Sequence, residues 1–156
     1  MACFKFIVVG PTQASYLKDG EQLYIDRLKH YTRLEWLEVK ESKIKKGIPD
    51  LKILDVEAKA ICSKLNTSDY LVTLDPAGTQ FSSEAFASHM QKLIMKQSNI
   101  ALLIGGPLGL SPSLLSRSME SWSLSKMTFT HEMARLVMLE QLYRVFTILN
   151  GEKYHK

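Results

Sequence analysis

The chain has 156 residues, the size of one compact domain with its own core. With 46% hydrophobic and 23% charged residues it has the composition of an ordinary globule, which excludes a disordered or fibrous chain. The formal net charge of +4 permits a polyanionic partner without demanding one.

The opening MACFKFIVVG reads as a first strand, Lys5–Gly10, rather than a signal peptide. A helix is expected over Gln13–Tyr31, on Leu17, Tyr24, Leu28 and Tyr31, although Gly20 weakens its first turns. Leu34–Val39 is a second strand. It leads into KESKIKKG, Lys40 to Gly47, where Lys40, Lys43, Lys45 and Lys46 form either a solvated loop or a nucleic-acid contact. Asp50 is placed to cap a second helix running to about Asn66, with Leu51, Leu54, Ala58, Ile61 and Leu65 on its apolar face. A strand over Tyr70–Asp75 and a helix from Ser82 or Ser83 to Gln97 follow, then a strand over Ile100–Gly106. Ser111 and Pro112 have the N-cap and first-turn chemistry of a fourth helix. Leu124–Thr130 is a possible fifth strand, and the last helix spans about His131 to Leu149. Strands alternating with helices imply one α/β domain over residues 1–156, a mostly parallel sheet with helices on both faces. No apolar run approaches the roughly 20 residues that span a bilayer. Cys3 and Cys62 lack CxxC spacing and read as half-buried small apolar residues in a reducing, cytoplasmic setting.

The last helix is apolar over most of its circumference, a pattern that suits burial on several sides or a subunit interface. Glu140, Arg144 and Thr147 share a polar stripe, whereas Arg135 points among Met138, Leu139, Leu142 and Phe146. A cation there must reach a carboxylate, carbonyls or an anionic ligand.

The segment NIALLIGGPLGLSPS, Asn99 to Ser113, is a strand, a tight loop with three glycines in five residues, and a helix start. That is where α/β proteins place ligands. A phosphate loop needs G-x-x-x-x-G-K-[ST], and a dinucleotide loop G-x-G-x-x-G; this loop has neither, and Pro107 removes a donor. An uncharged or cationic ligand approached by bare backbone suits it better. His30, His89, His131 and His155 show no metal-ligand spacing, so no metal is expected.

Four strings, LVTLDPAG (71–78), LLIGGPLGLS (102–111), LSKMTFTHEMARLVMLEQLYRVFTI (124–148) and YHK (154–156), together resemble the RlmH family of the SPOUT class. These bacterial enzymes methylate N3 of a pseudouridine in large-subunit (23S) ribosomal RNA. The resemblance implies a C-terminal trefoil knot, an exception to the rule against knots. It further implies a homodimer and S-adenosylmethionine as methyl donor, which has a sulfonium and no phosphate. Carried over to this chain, the family's cofactor contacts resemble Leu74, Gly105, Leu124, Ser125, Lys126, Met127, Thr128 and Phe129. Related sequences often read TFPH where this chain has Thr128, Phe129, Thr130 and His131; Thr130 is a plausible helix cap, so the change is expected to alter the turn rather than the activity.

N3 of a pseudouridine is a poor nucleophile until its imide proton leaves, so a base or a cation beside the ring would help. The expectation is that the YHK end folds over the cofactor of its own or the neighbouring subunit. His155 is then the base or base-orienter, Tyr154 stacks on or hydrogen-bonds to the target base, and Arg144 holds a phosphate or the uracil oxygens. An ordinary pairing of Arg144 with Glu140 one turn back is the plainer reading. The substrate is expected to be the large subunit or the assembled ribosome. Methylation of another RNA such as tRNA, or non-enzymatic ribosome binding, are the alternatives.

Overall fold

The computed structural model describes all 156 residues. Five strands, β1 (Cys3–Val9), β2 (Arg33–Val39), β3 (Tyr70–Thr79), β4 (Asn99–Ile104) and β5 (Glu120–Trp122), form one sheet in the order β2-β1-β4-β3-β5. Every pairing is parallel. The helices are α1 (Ser15–Leu28), α2 (Asp50–Cys62), α3 (Ser83–Lys96), α4 (Pro112–Arg117) and α5 (His131–Leu149).

Alternation along the strands divides the core in two. Phe4, Phe6 and Val8 of β1, with Ile100, Leu102 and Ile104 of β4, face the larger cluster, which α5 and α3 complete through Met138, Leu139, Leu142, Met90 and Leu93. Ile7, Val9, Ala101 and Leu103 face the opposite way and meet Ala58 and Ile61 of α2 and Leu114 of α4. Both faces are therefore covered, as a parallel sheet requires. Lys5 shares that second face; its ammonium is buried against Asp69 at 2.7 Å and the Lys64 carbonyl at 3.3 Å.

α1 begins at Ser15 and ends at Leu28, so Tyr31 lies beyond it and stacks on Phe146 at 5.6 Å. Gly20 is in the helix for packing: a Cβ there would lie 2.9 Å from Leu136 of α5. Pro49, not Asp50, occupies the N-cap of α2; Asp50 is the first helical residue, where its carboxylate complements the helix dipole. Ser82, Ser111 and Thr130 each cap a helix through the side-chain oxygen. The departure from TFPH is thus a cap: Thr130 Oγ1 accepts from the Met133 amide at 3.2 Å.

The fifth strand is not Leu124–Thr130 but Glu120–Trp122. β5 closes against β3 because Gly78 has no Cβ, which would sit 2.7 Å from the Ser121 and Trp122 backbone. Leu124, Met127 and Phe129 belong to a loop that wraps a cleft, with the Met127 amide donating to Ser125 Oγ at 3.0 Å rather than to a neighbouring strand.

Candidate functional site

The carboxyl ends of β3 and β4 and the start of α1 surround a cleft of about 720 Å³. Crevices outside the carboxyl ends of parallel strands are where open α/β sheets bind ligands, and the volume is that of a small-molecule site. Leu74, Gly105, Leu124, Ser125, Met127, Thr128 and Phe129 all line it. Lys126 lies in the same loop but is exposed and outside the lining.

The glycine loop makes the floor. Gly109 accepts a left-handed φ of +80° and its amide donates to the Gly106 carbonyl at 3.0 Å, closing a turn around Pro107. The turn brings Gly109 so close to Gly105 that a Cβ on Gly105 would lie 2.3 Å from the Gly109 oxygen. Two of the glycines thus serve the turn, and the result is bare backbone at the cleft. Leu74 precedes a bulge in β3, where Asp75 Oδ1 accepts from the Ala77 amide at 2.8 Å. Met127 is 78% exposed and Phe129 40%, so apolar side chains stand at the mouth with nothing packed over them.

Sequence reasoning missed several lining residues, among them Tyr16, Asp75, His131 and Glu132. Asp75 was legible, following Leu74 at a strand end; Tyr16 was not, because its place depends on the path of the chain after β1. The lining contains no lysine or arginine and two carboxylates, Asp75 and Glu132. His131 also lines the cleft, and burial, then the Arg135 charge, hold its pKa below the ordinary value. Such a wall repels phosphate and favours a cation or a neutral ring.

Arg135 is fully buried behind this cleft. Its guanidinium donates to the Val9 carbonyl and to Thr12 Oγ1 at 3.0 Å, and Thr12 donates to Glu21 at 2.7 Å. Its partners are therefore structural. Glu21, buried on α1, is raised in pKa by burial against the opposing pull of Thr12 and Arg135.

The three residues expected to act on the nucleotide lie together, elsewhere. Arg144 pairs with Glu140, donates toward His155 Nδ1 at 3.3 Å, and stands 4.8 Å from the centre of the Tyr154 ring. Tyr154 donates to Glu140 Oε1 at 2.9 Å, and burial followed by its bonds to Tyr24 and Glu140 raises its pKa. His155 Nε2 lies 3.0 Å from Glu84 Oε1 on α3. The tail is thus laid on its own α1, α3 and α5, and neither Tyr154 nor His155 lines the cleft of its own chain. Thr147, grouped with the polar stripe from sequence, is buried because the tail returns over it: the Glu152 amide donates to the Thr147 carbonyl at 2.9 Å.

Comparison with known proteins gives a consistent picture. Residues 3–155 match the family model described as a predicted SPOUT methyltransferase. The chain is 44% identical over 148 residues to the ribosomal RNA large subunit methyltransferase H of Cytophaga hutchinsonii, covering 94% of this chain and 95% of that protein. It is 41% identical to the protein of the same name from Desulfotalea psychrophila and 39% identical to that from Enterococcus faecalis, each across 97% of this chain and 98% of the relative. Among solved structures, a probable methylase family protein from Haemophilus influenzae Rd KW20 matches with a TM-score of 0.54, over 98% of this chain and 70% of that one. At 14% identity, that likeness concerns the fold alone.

Proposed function

The chain belongs to the SPOUT methyltransferase family, and on that premise we propose that it methylates large-subunit ribosomal RNA, at N3 of a pseudouridine, with S-adenosylmethionine as donor. The observation that carries this reading is the cleft: backbone of a glycine turn, apolar side chains and two carboxylates, with no lysine or arginine. S-adenosylmethionine fits those residues. The exposed backbone and Leu74, Leu124 and Met127 suit an adenine, and Asp75 and Glu132 suit ribose hydroxyls or a cationic group. When bound, the donor supplies a methyl carbon on a sulfonium, which leaves as a neutral thioether. The family also implies the trefoil knot, a homodimer and a cytoplasmic setting, and these are part of the same proposal.

The chain's contribution is to hold the nucleotide in line and to manage one proton. The imide proton must leave before the nitrogen can attack, and His155 is the group proposed to take or direct it. Arg144 offers the cation that favours the deprotonated ring, and Tyr154 presents a flat face beside it. Since the three contact one another and not the donor cleft of their own chain, they are assigned to the nucleotide side of the reaction. Lys40, Lys43, Lys45 and Lys46, all exposed in the connection after β2, are proposed to meet RNA phosphates, a contact that weakens steeply with salt.

The test uses the purified protein, methyl-labelled S-adenosylmethionine and ribosomes or free large subunits lacking the modification, with nuclease mapping and mass spectrometry. Label on one pseudouridine of the large-subunit RNA is expected. Donor binding without label on either substrate would point to another RNA such as tRNA. Neither binding nor label would leave a ribosome-binding module.

A further inference from the structure

A second cavity, of about 230 Å³, adjoins the donor cleft. The two meet at Leu74 and Leu124, which line both. Its other walls come from Phe81, Phe86 and Trp122 on one side and Val137, Met138 and Gln141 of α5 on the other. The aromatic groups are held rigidly. Phe86 meets Trp122 edge to face at 5.1 Å, Phe81 packs on His89 at 5.1 Å, and Trp122 Nε1 donates to Glu120 at 2.6 Å. Ser82, Ser123 and Gln141 are the polar members of the lining.

The far side of this cavity touches the tail cluster. Gln141 Nε2 donates one hydrogen to Glu140 Oε2 at 2.6 Å. The other Glu140 oxygen accepts from Tyr154 and pairs with Arg144, which in turn reaches His155. His155 also contacts Glu84, two residues along from Ser82 at the cavity rim. The order in space is therefore donor cleft, Leu74 and Leu124, second cavity, Gln141, and then the Glu140–Arg144–Tyr154–His155 cluster.

Resting on the function proposed above, we infer that this second cavity seats the target nucleobase, a single pyrimidine ring turned out of the RNA. Enzymes that act on a base hold it in a snug pocket between apolar or aromatic side chains and read its edge with hydrogen bonds. The cavity is far smaller than the donor cleft and matches one ring rather than a nucleoside with a long side arm. Phe81 and Val137 flank the ring. The second amide hydrogen of Gln141 donates to a ring carbonyl, whose charge grows as the imide proton leaves. The reactive nitrogen then points to the junction of the two cavities at Leu74 and Leu124, where the donor's methyl carbon would be met. Its imide proton lies on that same edge and leaves to water before transfer, and the charge left behind rests on the ring carbonyl held by Gln141, next to the tail cluster.

Two methionines report separately on the two cavities: Met127 lines the donor cleft and Met138 the second cavity. With methyl-labelled methionine, the NMR signal of Met127 is expected to move on adding S-adenosylmethionine, and that of Met138 on adding uridine 5′-monophosphate at millimolar concentration. Gln141→Trp, which fills the second cavity, is expected to keep donor binding while methylation of large-subunit RNA falls by about 100-fold or more. Gln141→Leu, a milder change, is expected to lower kcat with the donor's KM unchanged. Wild-type methylation by Gln141→Trp overturns the assignment. So does loss of donor binding in that variant, which would make the two cavities one site. An unmoved Met138 signal together with dissociation of a dimeric Gln141→Trp protein would make the cavity a subunit contact instead. An unmoved Met127 signal in the wild type, with no methylation, would count against the methyltransferase reading itself.

Discussion

Arg135 is a fully buried cation on a helix that is otherwise apolar on that side. Its hydrogen bonds to Val9 and Thr12, and through Thr12 to Glu21, tie α5 to the chain between β1 and α1, two segments that wall the cleft. Replacing it with methionine leaves Glu21 buried without its opposite charge, so Arg135→Met should lose about 3 kcal/mol of stability in denaturant unfolding. Thr12→Val, which breaks only the relay, should lose about 1–2 kcal/mol. Glu57 is the complementary case. It too is buried, but its only protein hydrogen bond is from the Ser42 amide at 3.1 Å, and burial raises its pKa above the ordinary 4.5. A raised carboxyl means the folded state binds a proton more tightly than the unfolded one, so its ionisation costs stability as pH rises through the folded value. Glu57→Gln keeps the oxygen that accepts from Ser42. The variant should therefore melt higher than wild type at neutral pH, with the gap closing below 4.5. A gap independent of pH would refute the burial argument.

At the scale of elements, the glycine turn between β4 and α4 is the most constrained piece of the site. Gly105→Ala puts a Cβ against the Gly109 carbonyl, backbone that cannot step aside without opening the turn. Donor affinity, measured by titration calorimetry, should fall by roughly tenfold or more, since a shifted loop misplaces the donors it offers. Unchanged affinity would remove the turn from the site. This loop could be read from sequence because its failures were informative: no lysine, a proline where a phosphate cradle needs an amide, and Ser111–Pro112 restarting a helix. Four strands and five helices were equally legible, because each carries its own periodicity or cap. The segment 124–130 was not. Its apolar and β-branched residues (Leu124, Met127, Thr128, Phe129 and Thr130) have strand composition, yet those side chains line a cleft, and only tertiary placement separates the two cases. Glu120–Trp122 escaped for the opposite reason: three residues are too few for a period, and the strand depends on Gly78 in a distant segment. Arg144, Tyr154 and His155 were individually nameable, but that they touch one another follows from the tail turning back over Thr147, which no local pattern announces.

For the whole molecule, α5 sets the question of assembly. One side lies on the sheet through Met138, Leu139, Leu142 and Phe146, and α1 and α3 pack against its flanks. Met133, Leu136 and Val137 nevertheless remain only half covered, and Tyr16 and Leu23 of the neighbouring α1 are 67% and 47% exposed. Two copies meeting along α1 and α5 would both bury this surface and double the surface offered to RNA. Sedimentation equilibrium should then give twice the chain mass at micromolar concentration. The melting temperature should rise on concentrating the protein, because mass action adds about 1.4 kcal/mol per tenfold change when unfolding and dissociation are coupled. Leu23→Glu, which sets a charge on the exposed face of α1 without touching either cavity, should weaken association while S-adenosylmethionine still binds each chain. A monomeric wild type whose melting temperature ignores concentration would refute the dimer, and the reaction would have to be completed by the residues of one chain.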